Sequence, residues 1–487
     1  MRKTVLLLLP MLVLLLAVSL SCAMAEVEAY PVPEGTPTEE TPFRVTANGL
    51  EVGVYGDYNA EFYEVGFGYF NFDRGATVEV QVAVDFPFRT VEVLPAGTGI
   101  VPRVEGNVIT LTVDDPGQDL SFVFDGDYQG YTLHLFTNEI DHEAASYKGK
   151  FGVIYYGPGY HDESHRQIVL GSGMTLYVDA GAVLNAPVVV ANAQNVSILG
   201  SGVIMMDKKN AVNPTYGNIV ICLNNARNVT VRGVIAHAHR SQNWTTHVYY
   251  SSDVTLENYH VVSTQYASVD ALDISNSQNV TVKDCFLRSC DDCITVKGLG
   301  NASLPADNPP NENIHVSGTR LWSDCNNAMV IGEESMAAYY KDISFRDIDV
   351  LYSYDDRDNH ERLEERAVMS IVLLHGTRVS DILWEDIRVN NCQRLVCFRF
   401  VDSFWFGSIQ GNQTFPGEVD GVTLRNISCV SDNHSRIANE ILIYGWSEDK
   451  QIRNVTFENF VVKGQKLTSL MNPYMKVNNY IQNIRFK

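Results

Sequence analysis

One polar-then-apolar phrase keeps returning along the last two thirds of this chain. From about residue 151 an Asn or Asp is followed by alternating apolar positions. Examples are Asn195-Val196-Ser197-Ile198, Asn228-Val229-Thr230-Val231, Asp253-Val254-Thr255-Leu256 and Asn279-Val280-Thr281-Val282. The phrase recurs at Asn313, Asp342, Asp381, Asp420, Asn454 and Asn483. The first intervals are 33, 25 and 26 residues, and two in the C-terminal third stretch to 39. Alternation at period two marks a half-buried strand, and a recurring unit of this length marks a solenoid. No helix-length periodic segment separates the phrases, which sets leucine-rich and ankyrin arrays aside. The pattern predicts an all-β fold, a right-handed parallel β-helix of the pectin-lyase-like kind over residues 141–487. Apolar members of each phrase would line one long core. The Asn or Asp positions are expected at bends, bonding local backbone. The longer intervals are expected as loops on one face, among them residues 298–310 and 355–365.

Ahead of the repeats the rhythm differs. Residues 43–138 hold short alternating runs, such as Val78-Glu79-Val80-Gln81-Val82 and Val108-Ile109-Thr110-Leu111-Thr112-Val113. Turn signals such as Ala47-Asn48-Gly49 and Asp114-Asp115-Pro116-Gly117 divide them. Short strands at this density predict a small β-sandwich over residues 41–140. It shows no catalytic constellation. Residues 26–40, rich in Pro, Thr and Glu, read as a linker. Residues 1–25 begin Met1-Arg2-Lys3, pass through a leucine-rich run and end Ala23-Met24-Ala25. That order is a secretory signal peptide, and the run is on the short side for a membrane anchor. The expectation is a secreted or extracytoplasmic protein with no integral membrane segment after cleavage.

Composition narrows the partners. A formal charge of -22 leaves no surplus of Lys and Arg to neutralise phosphates, so nucleic acid is not an expected partner. A monomer is expected. Eight cysteines, all at or after Cys222, remain once Cys22 leaves with the leader. An even count permits disulfides without requiring them. Cys290-x-x-Cys293 stands alone, whereas zinc would ask for a second ligand pair. No metal and no cofactor is expected.

The candidate chemistry is acidic. Asp291 and Asp292 sit side by side between Cys290 and Cys293, and Asp270 lies 21 residues before Asp291. With coils of this length, Asp270 and Asp291 become near-equivalent positions on neighbouring coils, whose strands lie ~4.8 Å apart. Adjacent side chains in a strand point to opposite faces, and an unpaired acid in an apolar core is costly. The pair is therefore expected at a bend or facing a cleft. Clustered carboxylates repel, so at least one pKa should rise. A protonated acid beside ionised ones is the equipment for splitting a glycosidic bond. A solvated turn would also explain an isolated Asp-Asp pair, and carboxylate clusters can hold calcium. Asp273 reads as a structural acid, and His237, His239 and His247 as structural or solvated residues. Lys297 could lower a neighbouring pKa or contact sugar. Trp244, Trp322, Trp384, Trp405 and Trp446 offer apolar faces either to sugar rings or to the core. Glu333 and Glu334 are candidates for lining a cleft.

These residues carry a resemblance. Ser268-Val269-Asp270-Ala271-Leu272-Asp273 resembles the Asn-Thr-Asp-Gly-x-Asp motif of polygalacturonases, glycoside hydrolase family 28. Cys290-Asp291-Asp292-Cys293-Ile294-Thr295-Val296-Lys297 resembles their Gly-Asp-Asp-Cys-x-x-x-Lys motif. Arg240-Ser241-Gln242-Asn243-Trp244-Thr245-Thr246-His247 is similar to their Ser-Pro-x-Trp-x-x-His segment. Asn326-Asn327-Ala328-Met329-Val330-Ile331-Gly332 occupies the place of Gly-His-Gly-x-x-Ile-Gly. A sandwich ahead of a β-helix also resembles the dextranase and isopullulanase family, glycoside hydrolase family 49. Tyr156-Gly157-Pro158-Gly159-Tyr160-His161 and Tyr177-Val178-Asp179-Ala180-Gly181-Ala182-Val183 are similar to the first coils of that group.

The resemblance implies an inverting glycoside hydrolase acting on a pectic or α-glucan polysaccharide or oligosaccharide. Asp291 would be the general acid, and Asp270 and Asp292 would hold and deprotonate the water. Asn327, Lys297, Glu333 and Trp244 would meet substrate. Two departures stand out. Asn327 replaces the family-28 histidine, and no Arg-x-Lys triplet follows where polygalacturonases hold a uronate carboxylate. Neutral or lightly charged glycans therefore remain open. So do a calcium-dependent polysaccharide lyase and a non-catalytic carbohydrate-binding β-helix, which the reaction products would separate.

Overall fold

Each recurring phrase folds as a strand that hydrogen-bonds its counterpart in the next coil. In the computed structural model one apolar position forms a single file: Val196, Val229, Val254, Val280, Ile314, Ile343, Ile382, Val422 and Val455. All nine belong to one hydrophobic core. The structure describes residues 26–487 except 60–62, 208–218, 241–242, 267, 355–365, 405–406, 409–413 and 436, and the side chains of 404, 407 and 408. The signal-peptide segment, the loop at 355–365 and Trp405 lie outside the described residues.

The phrase strands belong to a sheet of 21 strands that runs from Val153–Tyr156 to Arg485–Phe486. A second sheet of 11 short strands runs from Ile168–Val169 to Met475–Val477. Pairing between successive coils is parallel in both, which makes the fold a parallel β-helix. Among the described residues the helical turns are short 3-10 segments. No helix there is long and apolar enough to cross a membrane.

The Asn and Asp positions do more than mark bends. Nine of the ten phrase positions take left-handed backbone, with φ between 51° and 60°, and at the tenth Gly421 follows Asp420 with φ 95°. Asn and Asp tolerate that region better than other side chains. Their amides bond the next coil, where the sequence reading expected local backbone. Asn228 Nδ2 donates to Asn195 Oδ1 at 2.7 Å, Asn279 Nδ2 to Asp253 Oδ1 at 2.9 Å, and Asn313 Nδ2 to Asn279 Oδ1 at 2.7 Å. Where Asn follows Asn or Asp from coil to coil, its amide donates to the side-chain oxygen of the coil before, as at Asn228, Asn279, Asn313, Asn454 and Asn483.

Residues 27–138 form a six-stranded and a five-stranded sheet, packed through Phe43, Val45, Phe70, Phe72, Val80, Val82 and Phe122. Residues 26–40, expected as a linker, supply Val27–Glu28 as an edge strand on Glu64–Phe72, and Glu39 bridges to Gly56. The strand Glu64–Phe72 is buried on both faces. Phe70 and Phe72 face the sandwich core, whereas Phe67 and Tyr69 pack on Val183, Val203, Ile235, Val262 and Phe286 of the solenoid. Arg288 crosses the same contact. Its guanidinium bonds Thr132 Oγ1 at 2.6 Å and Asp324 Oδ1 at 2.9 Å, all of them buried. The sandwich thus covers one flank of the coils that carry the acids.

Asn279 tests the ladder. Asn279→Ala removes two amide bonds and leaves a Cβ in left-handed backbone without amide compensation, so it should cost about 2 kcal/mol. Asn279→Gly relieves the backbone strain and should cost only about 1 kcal/mol. Chemical denaturation midpoints of the two variants check that order.

Candidate active site

The acids lie where the short-strand sheet begins on two consecutive coils, and Asn327 takes the same place on the next. Leu272–Ser275, Ile294–Leu299 and Met329–Met336 are neighbours, with Leu272 paired to Ile294 and Ile294 to Met329. Two residues before each pairing stand Asp270, Asp292 and Asn327. The same backbone bond repeats at each. Thr245 N donates to Asp270 O, Ala271 N to Asp292 O and Cys293 N to Asn327 O, at 2.8, 2.9 and 3.0 Å. Asp270 is therefore the equivalent of Asp292, one residue away from the register expected with Asp291. Trp244 holds the same position one coil earlier, two residues before Thr246, which pairs with Leu272.

The Asp pair sits on a bend between the strands Phe286–Ser289 and Ile294–Leu299. Ser289 Oγ fastens that bend by donating to the carbonyls of Asp291 and Asp292, both at 2.9 Å. Cys290 and Cys293 turn inward and are buried as thiols, with Cys290 Sγ 3.0 Å from Cys325 Sγ. The bend lets both acids avoid the apolar core. Asp292 is buried, and Asp291 is half-buried at the open edge.

Lys297 is the buried cation at the centre of the cluster. Its Nζ lies 2.7 Å from Asp270 Oδ2, 3.2 Å from Asp273 Oδ1 and 3.9 Å from Glu334 Oε2. It also stands 4.4 Å from the centroid of the Trp244 ring, a cation–π contact. Burial alone would strip its proton. The surrounding carboxylates, Asp270 and Asp273 foremost, outweigh burial and hold the ammonium well above its usual range. Asp270 and Asp273 thus pair with one ammonium, and Arg366 adds a second positive charge near Asp292.

Burial pushes all four acids up, and repulsion from neighbouring carboxylates adds to it at Asp270, Asp273 and Asp291. Asp270 rises well above the ordinary carboxylate range through burial and the charge of Asp273, against the pull of Lys297. Asp291 rises well above it through burial and the charges of Asp270 and Asp292. Asp273 is pushed up to about 7 by burial, with Lys297 opposing. Asp292 also rises by burial, but Lys297 and two N–H donors work against the shift. Those donors are Asn327 N at 3.1 Å and Asn327 Nδ2 at 2.9 Å, both on Asp292 Oδ1. Asp291 Oδ1 likewise accepts two N–H donors, Asp292 N at 3.0 Å and Asn326 Nδ2, so hydrogen bonding does not separate the pair. Burial comes first in the rise of both; at Asp291 the charges of Asp270 and Asp292 come next and add to it, whereas at Asp292 Lys297 comes next and opposes it.

Asn327 is fully buried, where the sequence reading expected it to meet substrate. Its Oδ1 accepts from Ser370 Oγ at 2.6 Å and Ala367 N at 2.8 Å, which fixes the amide with its NH2 toward Asp292. Asn326 Nδ2 in turn donates to Asp291 Oδ1. Of the two glutamates, Glu334 is brought within ion-pair distance of Lys297, whereas Glu333 is buried, its carbonyl accepting from Leu374 N at 3.3 Å. Trp244 is half-buried beside Lys297 and meets His247 edge to face at 5.1 Å. Burial, then Lys297, lower the His247 imidazole to about 3, so it is neutral, bonded to Ser275 Oγ at 3.1 Å. Trp322 and Trp384 are core residues, and Trp446 is exposed. Asn326 and Ser370 were not singled out as site residues. The Asn326-Asn327 doublet was the only sequence signal for the former.

Residues 187–324, which include all four aspartates, match glycosyl hydrolases family 28. No curated protein matches the chain at a significant level of sequence similarity. Among solved structures, the chain is similar to Dex49A from Penicillium minioluteum, with a TM-score of 0.69 and 13% identity over 94% of this chain and 96% of that one. It is also similar to the Yersinia enterocolitica family 28 exopolygalacturonase, with a TM-score of 0.51 and 13% identity over 88% and 98%. The domain match, on a β-helix bearing this acid cluster, defines the class of the protein as a glycoside hydrolase acting on polysaccharide. Within that class it is polygalacturonase-like over the matched residues 187–324, and its fold resembles that of Dex49A.

The cluster makes stability depend on pH with a definite sign. Asp273 titrates near 7 in the folded chain and near ~3.9 in the unfolded one. The folded state binds the extra proton, so its stabilising effect is complete below about pH 4 and is lost as pH rises through about 7. Asp273→Asn should flatten the fall in melting temperature between pH 5 and pH 7. Thermal unfolding at both pH values checks it.

Proposed function

We propose that the protein is an exported inverting glycoside hydrolase that cleaves O-glycosidic bonds of a pectic or α-glucan polysaccharide. The observation that carries this reading is the stacking of Asp270 over Asp292 on adjacent coils, with Asp291 at the open edge beside them. Asp291 is the general acid and protonates the leaving oxygen. Its raised affinity for a proton suits that task near neutral pH. Asp292, with two N–H donors on one oxygen, takes the proton of the attacking water, and Asp270 holds that water with it. Water then enters opposite the leaving group, which inverts the anomeric centre. Lys297 keeps Asp270 in place, and Asn327 aims Asp292. Trp244, half-buried beside this group, offers its free edge to a sugar ring. Export follows from the leader-like residues 1–25 and suits a catalyst of an extracellular polymer.

Asp291→Asn should lower kcat about 10³-fold while the fold survives. Reducing-end release from a panel of pectic and α-glucan polysaccharides checks this, and near wild-type turnover by the variant would remove the acid from its role. The products should be new reducing ends without the ultraviolet absorbance of an unsaturated sugar, and their first-formed anomer, read by NMR, should be inverted. Asn327→Ala should lower kcat roughly 10-fold with little change in KM, because it unseats the base and leaves the sugar contacts alone. Steady-state kinetics on the best substrate of the panel reads the split.

A further inference from the structure

The contact between sandwich and solenoid combines apolar packing with buried polar pairs such as His260–Asp119, and it also seals in a cluster with metal-ligand chemistry. Asp57 comes from the sandwich strand Val54–Tyr58. His237 ends the solenoid strand Ile235–His237, and His239 follows two residues on. Their exposures are 1, 2 and 0%. One donor atom from each lies within 4.8 Å of the others. Asp57 Oδ2 is 3.9 Å from His237 Nδ1, and Asp57 Oδ1 is 3.9 Å from His239 Nδ1.

Those separations are too long for direct hydrogen bonds. The His239 separation, and the 4.8 Å within which one donor atom of each residue lies, are close to what a shared cation needs. Zinc binds His and Asp at about 2.0–2.2 Å, which spaces tetrahedral ligand atoms roughly 3.3 Å apart. The cluster would draw in by up to roughly 1.5 Å from the 4.8 Å within which its donor atoms lie. His237 is also set up as a ligand. Its Nδ1, the nitrogen 3.9 Å from Asp57, donates to Val262 O at 2.6 Å and so is not the ligand atom; the lone pair that a cation would take is on Nε2. The Asp57 carboxylate is steadied from its other side by Gln265 Nε2 at 2.5 Å, Tyr58 N at 2.9 Å and Thr264 Oγ1 at 3.3 Å. A carboxylate sealed in such a contact calls for positive charge. Arg240, two residues past Ala238, is committed to Glu39 at 2.6 Å.

We propose that Asp57, His237 and His239 bind a first-row divalent cation, Zn2+ by donor type, that clamps the sandwich to the solenoid. Thr264 and Gln265 grip the same carboxylate and open the segment that leads to Asp270. The clamp therefore sits at the root of the first acid-bearing coil. It is distinct from the acid cluster and from the Cys290–Cys293 pair.

The test uses the full untagged chain. It is stripped with a chelator, incubated with Zn2+, Ca2+ or Mg2+ alone, and desalted. Metal content and melting temperature are then read. About 1 Zn2+ per chain should be retained, with the melting temperature raised by about 5 °C or more, and no comparable effect of Ca2+ or Mg2+. His239→Gln and Asp57→Asn should each lower zinc affinity at least about 100-fold, whereas Asp291→Asn should keep it. Wild-type protein that holds no stoichiometric zinc and gains no stability would overturn the proposal without reference to any variant. Zinc retained undiminished by folded His239→Gln would place the ion elsewhere and overturn it equally.

Discussion

The register of parallel hydrogen bonds between coils is the constraint on which everything else depends. It places the same coil position over itself, coil after coil. At the phrase position this stacks Asn and Asp in left-handed backbone and lets their amides bond in a ladder. At the start of the short-strand sheet it stacks Trp244, Asp270, Asp292 and Asn327. Backbone bonding thus does what side-chain chemistry alone would oppose. It brings carboxylates within reach of one another and keeps them there.

That arrangement is costly by itself, and its surroundings offset the cost in two ways. Lys297 inserts one positive charge between Asp270 and Asp273, and its own ammonium is stabilised by theirs. Asn327 supplies directed donors to Asp292 and is locked by Ser370 and Ala367 from the next coil. What is not offset is left as retained protons, because burial and repulsion favour the neutral acids. Burial first, and the charges of Asp270 and Asp292 after it, thus raise Asp291 at the partly open edge. The position where family 28 has a histidine is filled here by Asn327, a buried amide whose bonds are all internal to the protein.

Much of this was legible in the sequence, for physical reasons. Ten phrases with one polar residue ahead of period-two alternation can satisfy their backbone only by stacking, so the solenoid followed. Asp-Asp between buried thiols required a bend, and the bend at Asp291 is there. The register was harder. Counting 21 residues paired Asp270 with Asp291, while the ladder pairs it with Asp292, because the bend between strands adds one residue that periodicity does not show. The inward turn of Asn327 and the choice of Glu334 over Glu333 beside Lys297 depend on which face of a short strand is open. Residues 26–40 looked like a linker because an edge strand of two residues leaves no pattern. Asp57 and His237 are 180 residues apart, and their meeting is a property of the docked sandwich, which no local motif encodes.

The central claim is that coil stacking makes the acid cluster hold a proton at a pH where ordinary aspartates are ionised. Carbon-13 NMR titration of the aspartate carboxyls in the free protein, with Asp291 assigned by comparison with Asp291→Asn, reads this directly. The account predicts that the Asp291 resonance moves with a midpoint well above the ordinary aspartate value of ~3.9. A midpoint at or below that value would show an acid that is ionised throughout the neutral range, and would contradict the account.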